Sequence, residues 1–116
     1  MSSPIDSMDI VDNVLVRMVR LLRVGDYTEG HAHTFDHITL LATGAVLMEH
    51  PNGSQEFRAP HLIVTPKDIA HKFTALEPQT LYCCIHAIRD ENNNIVAPDT
   101  PLDELWRKGM SNEYKI

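Results

Sequence analysis

The chain has 116 residues, of which 43 % are hydrophobic and 22 % charged, a balance typical of a single globular domain with its own core. Its net charge of −6 and scattered basic residues argue against nucleic acid and, more weakly, against anionic membranes as partners. No apolar stretch approaches the roughly 20 residues that span a bilayer, and the polar, acidic start is unlike a signal peptide. Cys83 and Cys84 are adjacent, which excludes a disulfide framework and fits a reduced, cytoplasmic protein.

The first part of the chain divides into an arm and an apolar run. Residues 1–13 are polar and acidic and are interpreted as a flexible or loosely docked arm. The run 14–24, VLVRMVRLLRV, fits a helical stripe, but its β-branched residues and the following Gly25 favour a strand.

From residue 37 onwards, short apolar runs alternate with turn residues. The run 37–50 contains Gly44, which indicates a turn or bulge, and Asn52-Gly53 is a strong hairpin signal. Further runs cover 54–59, 61–65, 71–76 and 80–88, and residues of turn type separate them. Strand signals at intervals of about ten residues predict an all-β sandwich or barrel.

The C-terminal part has the signals of one short helix. Thr100 is an N-cap candidate, Pro101 suits the first helical position, and Gly109 is a plausible C-cap residue. We therefore expect a helix over about 101–108. The predicted organisation is an arm (1–13), a β-barrel (14–98), and a helix with a tail (99–116).

Four histidines carry the strongest chemical signal. His31 and His33 lie two residues apart, so on a strand their rings point to one face. His37 follows a short turn-forming segment, and His71 follows the turn residues Pro66 and Asp68 at the start of a later strand. Ligands placed at strand starts beside tight turns can converge at the mouth of a barrel.

The same residues resemble the two motifs of the cupin family. The first motif has glycine, five residues, His-x-His, three or four residues, glutamate, six residues and glycine. This chain has Gly25, then His31-x-His33, then His37 in place of the glutamate, then Gly44, with every spacing kept. The second motif, proline-x-glycine-x-x-histidine, is similar to residues 66–71, with Asp68 in place of the glycine. The second motif's leading glycine and trailing asparagine are absent.

This resemblance implies a cupin double-stranded β-helix, that is, a jelly-roll barrel, covering about residues 14–90. It also implies a metal site made by His31, His33, His37 and His71, similar to that of the small four-histidine cupins that bind manganese. The expected cofactor is one divalent transition metal: Mn, Fe or Ni first, with Cu or Zn as further options. Imidazole suits Fe, Ni, Cu and Zn, and the loss of the glutamate leaves the ion its full positive charge.

Four ligands on an octahedral ion leave two positions for a small molecule or dioxygen. We therefore favour a metal-dependent oxygenase-like enzyme that acts on a small anionic or enolisable organic molecule. The alternatives are a non-catalytic cupin that binds a small ligand or metal, a cupin lyase or isomerase, and a structural metal site, for which zinc would be typical.

Several other residues are candidates for the surroundings of the metal. Phe35, Thr39 and Phe73 are expected to line a substrate pocket. His86, Tyr27 and Arg58 are polar residues on or near predicted strands that could hydrogen-bond to metal ligands or substrate. The family resemblance also implies a homodimer, formed by packing of sheets or by exchange of an N-terminal strand.

Overall fold

The computed structural model describes residues 5–28, 36–99 and 101. Eight strands make up its regular structure: β1 (Ile5–Val11), β2 (Val14–Leu21), β3 (His37–Thr43), β4 (Ala45–His50), β5 (Gly53–Arg58), β6 (His61–Thr65), β7 (Lys72–Ala75) and β8 (Thr80–Ala87). Within these residues no helix is long and apolar enough to cross a bilayer.

The strands form two antiparallel sheets that face each other. The larger has the order β1-β2-β8-β3-β6, and the smaller has the order β5-β4-β7. β8 lies between β2 and β3, so strands that are far apart in sequence are neighbours. The all-β class and the jelly-roll architecture expected from the sequence are therefore confirmed.

The core lies between the inner faces of the two sheets. Alternation along each strand sends every second side chain inwards, which is clearest in β3, where His37, Thr39 and Leu41 are buried. The main apolar cluster consists of Val19, Leu21, Leu41, Val46, Ile63, Phe73, Ala75 and Tyr82. A second cluster of Ile10, Leu15, Ile88 and Val96 packs the segment after β8 against β1 and β2.

Two ends of this interior differ in chemistry. We call the end that holds His37, Thr65 and His71 the mouth, and the end that holds Leu21, Leu41 and Ala75 the floor. The register orders them, because β3 runs from His37 at the mouth to Leu41 near the floor, and β7 ends on Ala75.

The segment before β2 differs from the expected arm. In its described part, Ile5–Val11 pairs along its whole length with β2 and forms an edge strand of the larger sheet. Ile10 is buried, while Asp6 and Asp9 face solvent in part, and this acidic composition made the segment look like a loop. An edge strand has a partner on one side only, so it needs fewer apolar residues than a central strand.

Three further local predictions agree with the structure. The run 14–24 contains a strand, β2, and Asn52-Gly53 lies at the β4–β5 hairpin. Gly44 separates β3 from β4 with φ +81°, and a Cβ there would lie 2.8 Å from Thr80 Cα, so only glycine fits. Of the helix expected over 101–108, only residue 101 is described.

Candidate metal centre

His37 and His71 come together at the mouth of the barrel. Their ring centroids are 5.4 Å apart and the ring planes are inclined by 42°. Both side chains are buried, with 5 % and 8 % of their surface exposed. Two imidazoles from strand starts 34 positions apart in sequence therefore share one enclosed space.

Register and a loop contact place the two rings. His37 opens β3 and lies opposite Thr65 of β6, so its side chain points inwards beside that threonine. The loop that follows β6 carries Asp68 in a left-handed conformation, with φ 62°, and leads directly to His71. The backbone N–H of Lys67 donates to Asp36 Oδ1 at 2.8 Å, which ties this loop to the residue before His37.

The orientation of His71 is set by its own backbone and by a neighbouring ring. His71 Nδ1 lies 3.3 Å from the carbonyl oxygen of Ile69. Because a carbonyl only accepts, Nδ1 carries the proton in the neutral ring, and Nε2 is then unprotonated, which is the form of imidazole nitrogen that binds a metal. Phe73 packs edge-on against the His71 ring at 5.4 Å.

Tyr82 lies in the core next to Phe73. The ring centroids of Tyr82 and Phe73 are 5.0 Å apart, and the Tyr82 hydroxyl lies 2.8 Å from Thr28 Oγ1. Burial raises the pKa of Tyr82, so its hydroxyl remains neutral and acts as a hydrogen-bonding group. Phe73 and Tyr82 both belong to the main apolar cluster, so ring contacts lead from His71 into the core.

The fold of this chain is similar to that of several solved structures. KdgF from a Halomonas species matches with a TM-score of 0.66 and 20 % identity, over 79 % of this chain and 86 % of that chain. An RmlC-like cupin family protein with a double-stranded β-helix fold, from Methanocaldococcus jannaschii, matches with a TM-score of 0.65 and 9 % identity, over 75 % and 82 %. A cupin-2 domain containing protein from Shewanella frigidimarina matches with a TM-score of 0.61 and 15 % identity, over 75 % and 83 %.

The chain has the cupin fold. At these identities the likeness is one of fold, and it does not extend to a reaction or a ligand. No protein-family model matches the chain, and no curated protein sequence matches it either.

The described residues fit a metal held within this cupin fold. Two buried imidazole rings whose centroids lie 5.4 Å apart are close enough that both could bind one divalent ion. Thr65 Oγ1 is buried directly across from His37 and has no hydrogen-bond partner among the described residues. A buried hydroxyl in that situation points to a group bound nearby, such as an ion or its water.

The structure describes two of the four expected ligands. His31 and His33 lie in the segment 29–35, outside the described residues, as does Phe35. Within the described part of the chain, no group of three or more histidine, cysteine, aspartate or glutamate side chains is placed to hold a metal. His37 and His71 are thus the described half of the expected ligand set.

The other expected residues differ in their relation to the histidine pair. Phe73 touches His71, and Thr39 follows His37 along the inner face of β3, with its hydroxyl 3.6 Å from Cys84 Sγ. His86 is half-buried on β8 opposite Leu15, with Nδ1 3.1 Å from the carbonyl oxygen of Ala87.

Tyr27 and Arg58 do not join the histidines. The Tyr27 ring lies under the ammonium group of Lys72, with Nζ 4.1 Å from the centroid. Arg58 ends β5 opposite Ala45, near the floor, and its Nη1 donates to Glu77 Oε2 at 2.7 Å. The expectation for Arg58 is therefore corrected, because the register of β5 carries it to the opposite end of the barrel.

The structure also adds polar groups on the inner face that the sequence did not single out. Cys84 lies between Thr39 of β3 and Arg17 of β2, and burial raises the pKa of its thiol. Arg17 shares the face of the core residues Leu15 and Val19, and Asp6 accepts hydrogen bonds from its Nε and Nη2. Alternation within VLVRMVRL places Arg17 inside, so this residue could have been found from the sequence.

Proposed function

We propose that this protein is a small metal-binding cupin whose single divalent transition metal is held by His31, His33, His37 and His71. The observation that carries the proposal is the convergence of the buried His37 and His71 rings at the barrel mouth, with a centroid separation of 5.4 Å. Mn, Fe or Ni is the expected ion, and Cu or Zn is a further option. Four neutral ligands leave the ion its full charge.

On this metal we propose an oxygenase-like reaction of a small anionic or enolisable organic molecule. When bound, the metal would supply Lewis acidity and coordination positions for substrate and dioxygen. The residues of the chain position the metal ligands and enclose the site. The Ile69 carbonyl fixes the tautomer of His71, and Phe73, which itself packs against Tyr82, holds the His71 ring.

Metal analysis tests the proposal directly. Protein purified without a tag should contain near-stoichiometric Mn, Fe or Ni, and His71→Ala should bind that metal at least about a hundredfold more weakly, because a ligand is lost. His61→Ala is the matched control, since His61 is exposed near the floor against Phe57 and should leave affinity unchanged. Protein that retains no metal and gains no thermal stability from added Mn, Fe, Ni, Cu or Zn would overturn the site.

Activity assays distinguish the proposed oxygenase from the alternative functions. Oxygen consumption with small carboxylates and enolisable ketones should require the metal and should disappear in His71→Ala. Conversion of substrate without oxygen uptake would favour a lyase or isomerase. Ligand binding without conversion would favour a non-catalytic binding module. Tightly bound zinc with no exchangeable water would indicate a structural site.

We also propose that a second copy of the chain covers the outer face of the larger sheet. Val14, Met18, Ile38, Leu62 and Val64 are 39 to 65 % exposed on this face. Half-buried apolar residues lie between them. Together they expose on the order of 400 Å² of apolar surface, about half of the roughly 800 Å² that each partner contributes to a standard interface.

A charge placed on this face should separate the two copies. The double variant Met18→Glu and Leu62→Glu should be a monomer by light scattering under conditions where the natural chain is a dimer. Val24→Glu is the control, because Val24 is equally exposed but lies in a turn away from this face. A monomer mass for the natural chain would reject the interface.

A further inference from the structure

A pocket opens at the barrel mouth beside His71, between the end of β4 and the loop after β6. Its volume is about 170 Å³. Met48, Val64, Pro66 and Ile69 supply its apolar wall, and His50, Asn52, Thr65 and His71 supply its polar groups. Thr65 and His71 are buried at the inner end, whereas Asn52, Val64 and Pro66 are exposed at the rim.

The volume limits the group that this pocket can accept. An engineered apolar cavity of about 150 Å³ holds one benzene molecule. At about 170 Å³, the pocket has room for a group of six or seven non-hydrogen atoms, such as a phenyl ring or a short branched chain. The apolar wall favours a group without charge.

One polar group in the wall has a defined hydrogen-bonding character. The backbone N–H of Asn52 donates to His50 Nδ1 at 3.3 Å. In the neutral ring, Nδ1 therefore carries no proton and Nε2 carries it, so His50 offers a donor at Nε2. His50 lies on the inner face of β4, in line with the core residue Val46 and with Met48.

We propose that this pocket binds the part of the ligand that does not touch the metal, namely an uncharged group the size of a phenyl ring with one hydrogen-bond acceptor that meets His50 Nε2. The inference rests on the proposed function and deepens it, because a molecule in this pocket touches His71, whose ring centroid lies 5.4 Å from that of His37. It assigns the specificity for the non-reacting end of the ligand to Met48, Ile69 and His50.

Phenol and benzene are suitable probes, because they differ by one hydroxyl. In metal-free protein, either probe at millimolar concentration should shift the NMR methyl signals of Met48 and Ile69. The variant His50→Phe replaces the donor with an apolar ring. It should weaken the binding of phenol about fivefold and leave the affinity for benzene unchanged. His61→Phe is the matched control, since His61 lies near the floor, and it should alter neither affinity.

Filling the pocket gives an independent test. Ile69→Trp should abolish binding of both probes, and Met48→Phe should weaken both, so a folding defect in one variant leaves the other informative. Methyl signals unmoved by either probe, or phenol binding that survives both filling variants, would overturn the proposal.

A third measurement keeps this inference separate from the metal proposal. Adding Mn²⁺ should enhance the relaxation of bound phenol protons, and His71→Ala should remove this effect. Phenol binding without relaxation enhancement would keep the pocket and reject a metal beside it. Metal binding without probe binding would keep the metal centre and reject the pocket's assignment.

Discussion

The mouth and the floor of the barrel interior are built by the same strands with opposite chemistry. β3 places His37 at the mouth and Leu41 near the floor, and β7 follows His71 and ends on Ala75. The floor is mainly apolar, and its buried Thr80 hydroxyl donates to the carbonyl oxygen of Glu77, whereas the mouth holds two imidazoles and a threonine hydroxyl that has no hydrogen-bond partner among the described residues. We therefore expect the floor to contribute most to stability, whereas the polar groups at the mouth belong to the proposed ligand site.

The largest stability effect is expected at the floor. Leu41→Ala should lower the free energy of unfolding by about 2–5 kcal/mol, because a fully buried side chain leaves a cavity. Metal affinity should stay within a factor of about three, since the two regions act independently. Urea denaturation measures the first quantity and calorimetric titration measures the second.

The neighbouring residue supplies the control for this prediction. Leu40 faces the opposite side of β3 and is only half-buried. Leu40→Ala should therefore lower the free energy of unfolding clearly less than Leu41→Ala does. Equal losses for the two variants, or a large loss of metal affinity in Leu41→Ala, would contradict the division between floor and mouth.

An intermediate effect is expected at Tyr82, which lies opposite Leu41 and packs its ring against Phe73. Tyr82→Phe removes the 2.8 Å hydrogen bond to Thr28 and should cost about 1 kcal/mol near neutral pH. Burial raises the pKa of Tyr82 above its ordinary value of 10.0, so above that pH the unfolded chain loses this proton first. The natural protein should therefore lose stability as the pH rises beyond about 10, and Tyr82→Phe should lose less.

Stability curves for both proteins, measured by denaturation at several alkaline pH values, test this prediction. A slope that is the same in the two proteins would show that Tyr82 does not cause the alkaline loss. The value near neutral pH reports the hydrogen bond separately.

The smallest effect is expected at Thr65, and it has the opposite sign. Thr65→Val removes the buried hydroxyl without a described partner and should stabilise the metal-free protein by up to about 1 kcal/mol. Thr39→Val should give no gain, because the Thr39 hydroxyl lies 3.6 Å from Cys84 Sγ. A thermal denaturation series on metal-free protein decides this, and a loss of stability in Thr65→Val would show that the hydroxyl is already satisfied.

The fold could be predicted because its signals are local. Turn residues such as Gly44 and Asn52-Gly53 separate the strands, and alternation within the strands marks their inner faces. The edge strand β1 was missed because its evidence is not local. Its acidic sequence forms a strand only where β2 offers a free edge, and that pairing is a property of the assembled sheet.

The candidate site, like the fold, could be predicted only in part from the sequence. His37 and His71 carry motif spacing and turn context, and the structure brings their rings together. Thr65 and His50 carry no motif, and their importance depends on register, which places Thr65 opposite His37 and His50 at the end of β4. Register also explains the correction at Arg58, whose pairing with Ala45 sends it towards the floor.

The hydrogen bond from the Lys67 N–H to Asp36 Oδ1 has a kinetic consequence. It joins the exposed loop that carries His71 to the start of the strand that carries His37, and we expect the loop to open more readily when this contact is released, while the sheets remain paired. Local opening of a surface loop needs far less free energy than global unfolding. Exchange of the proposed metal should therefore follow the opening rate of the β6–β7 loop and be much faster than unfolding of the barrel.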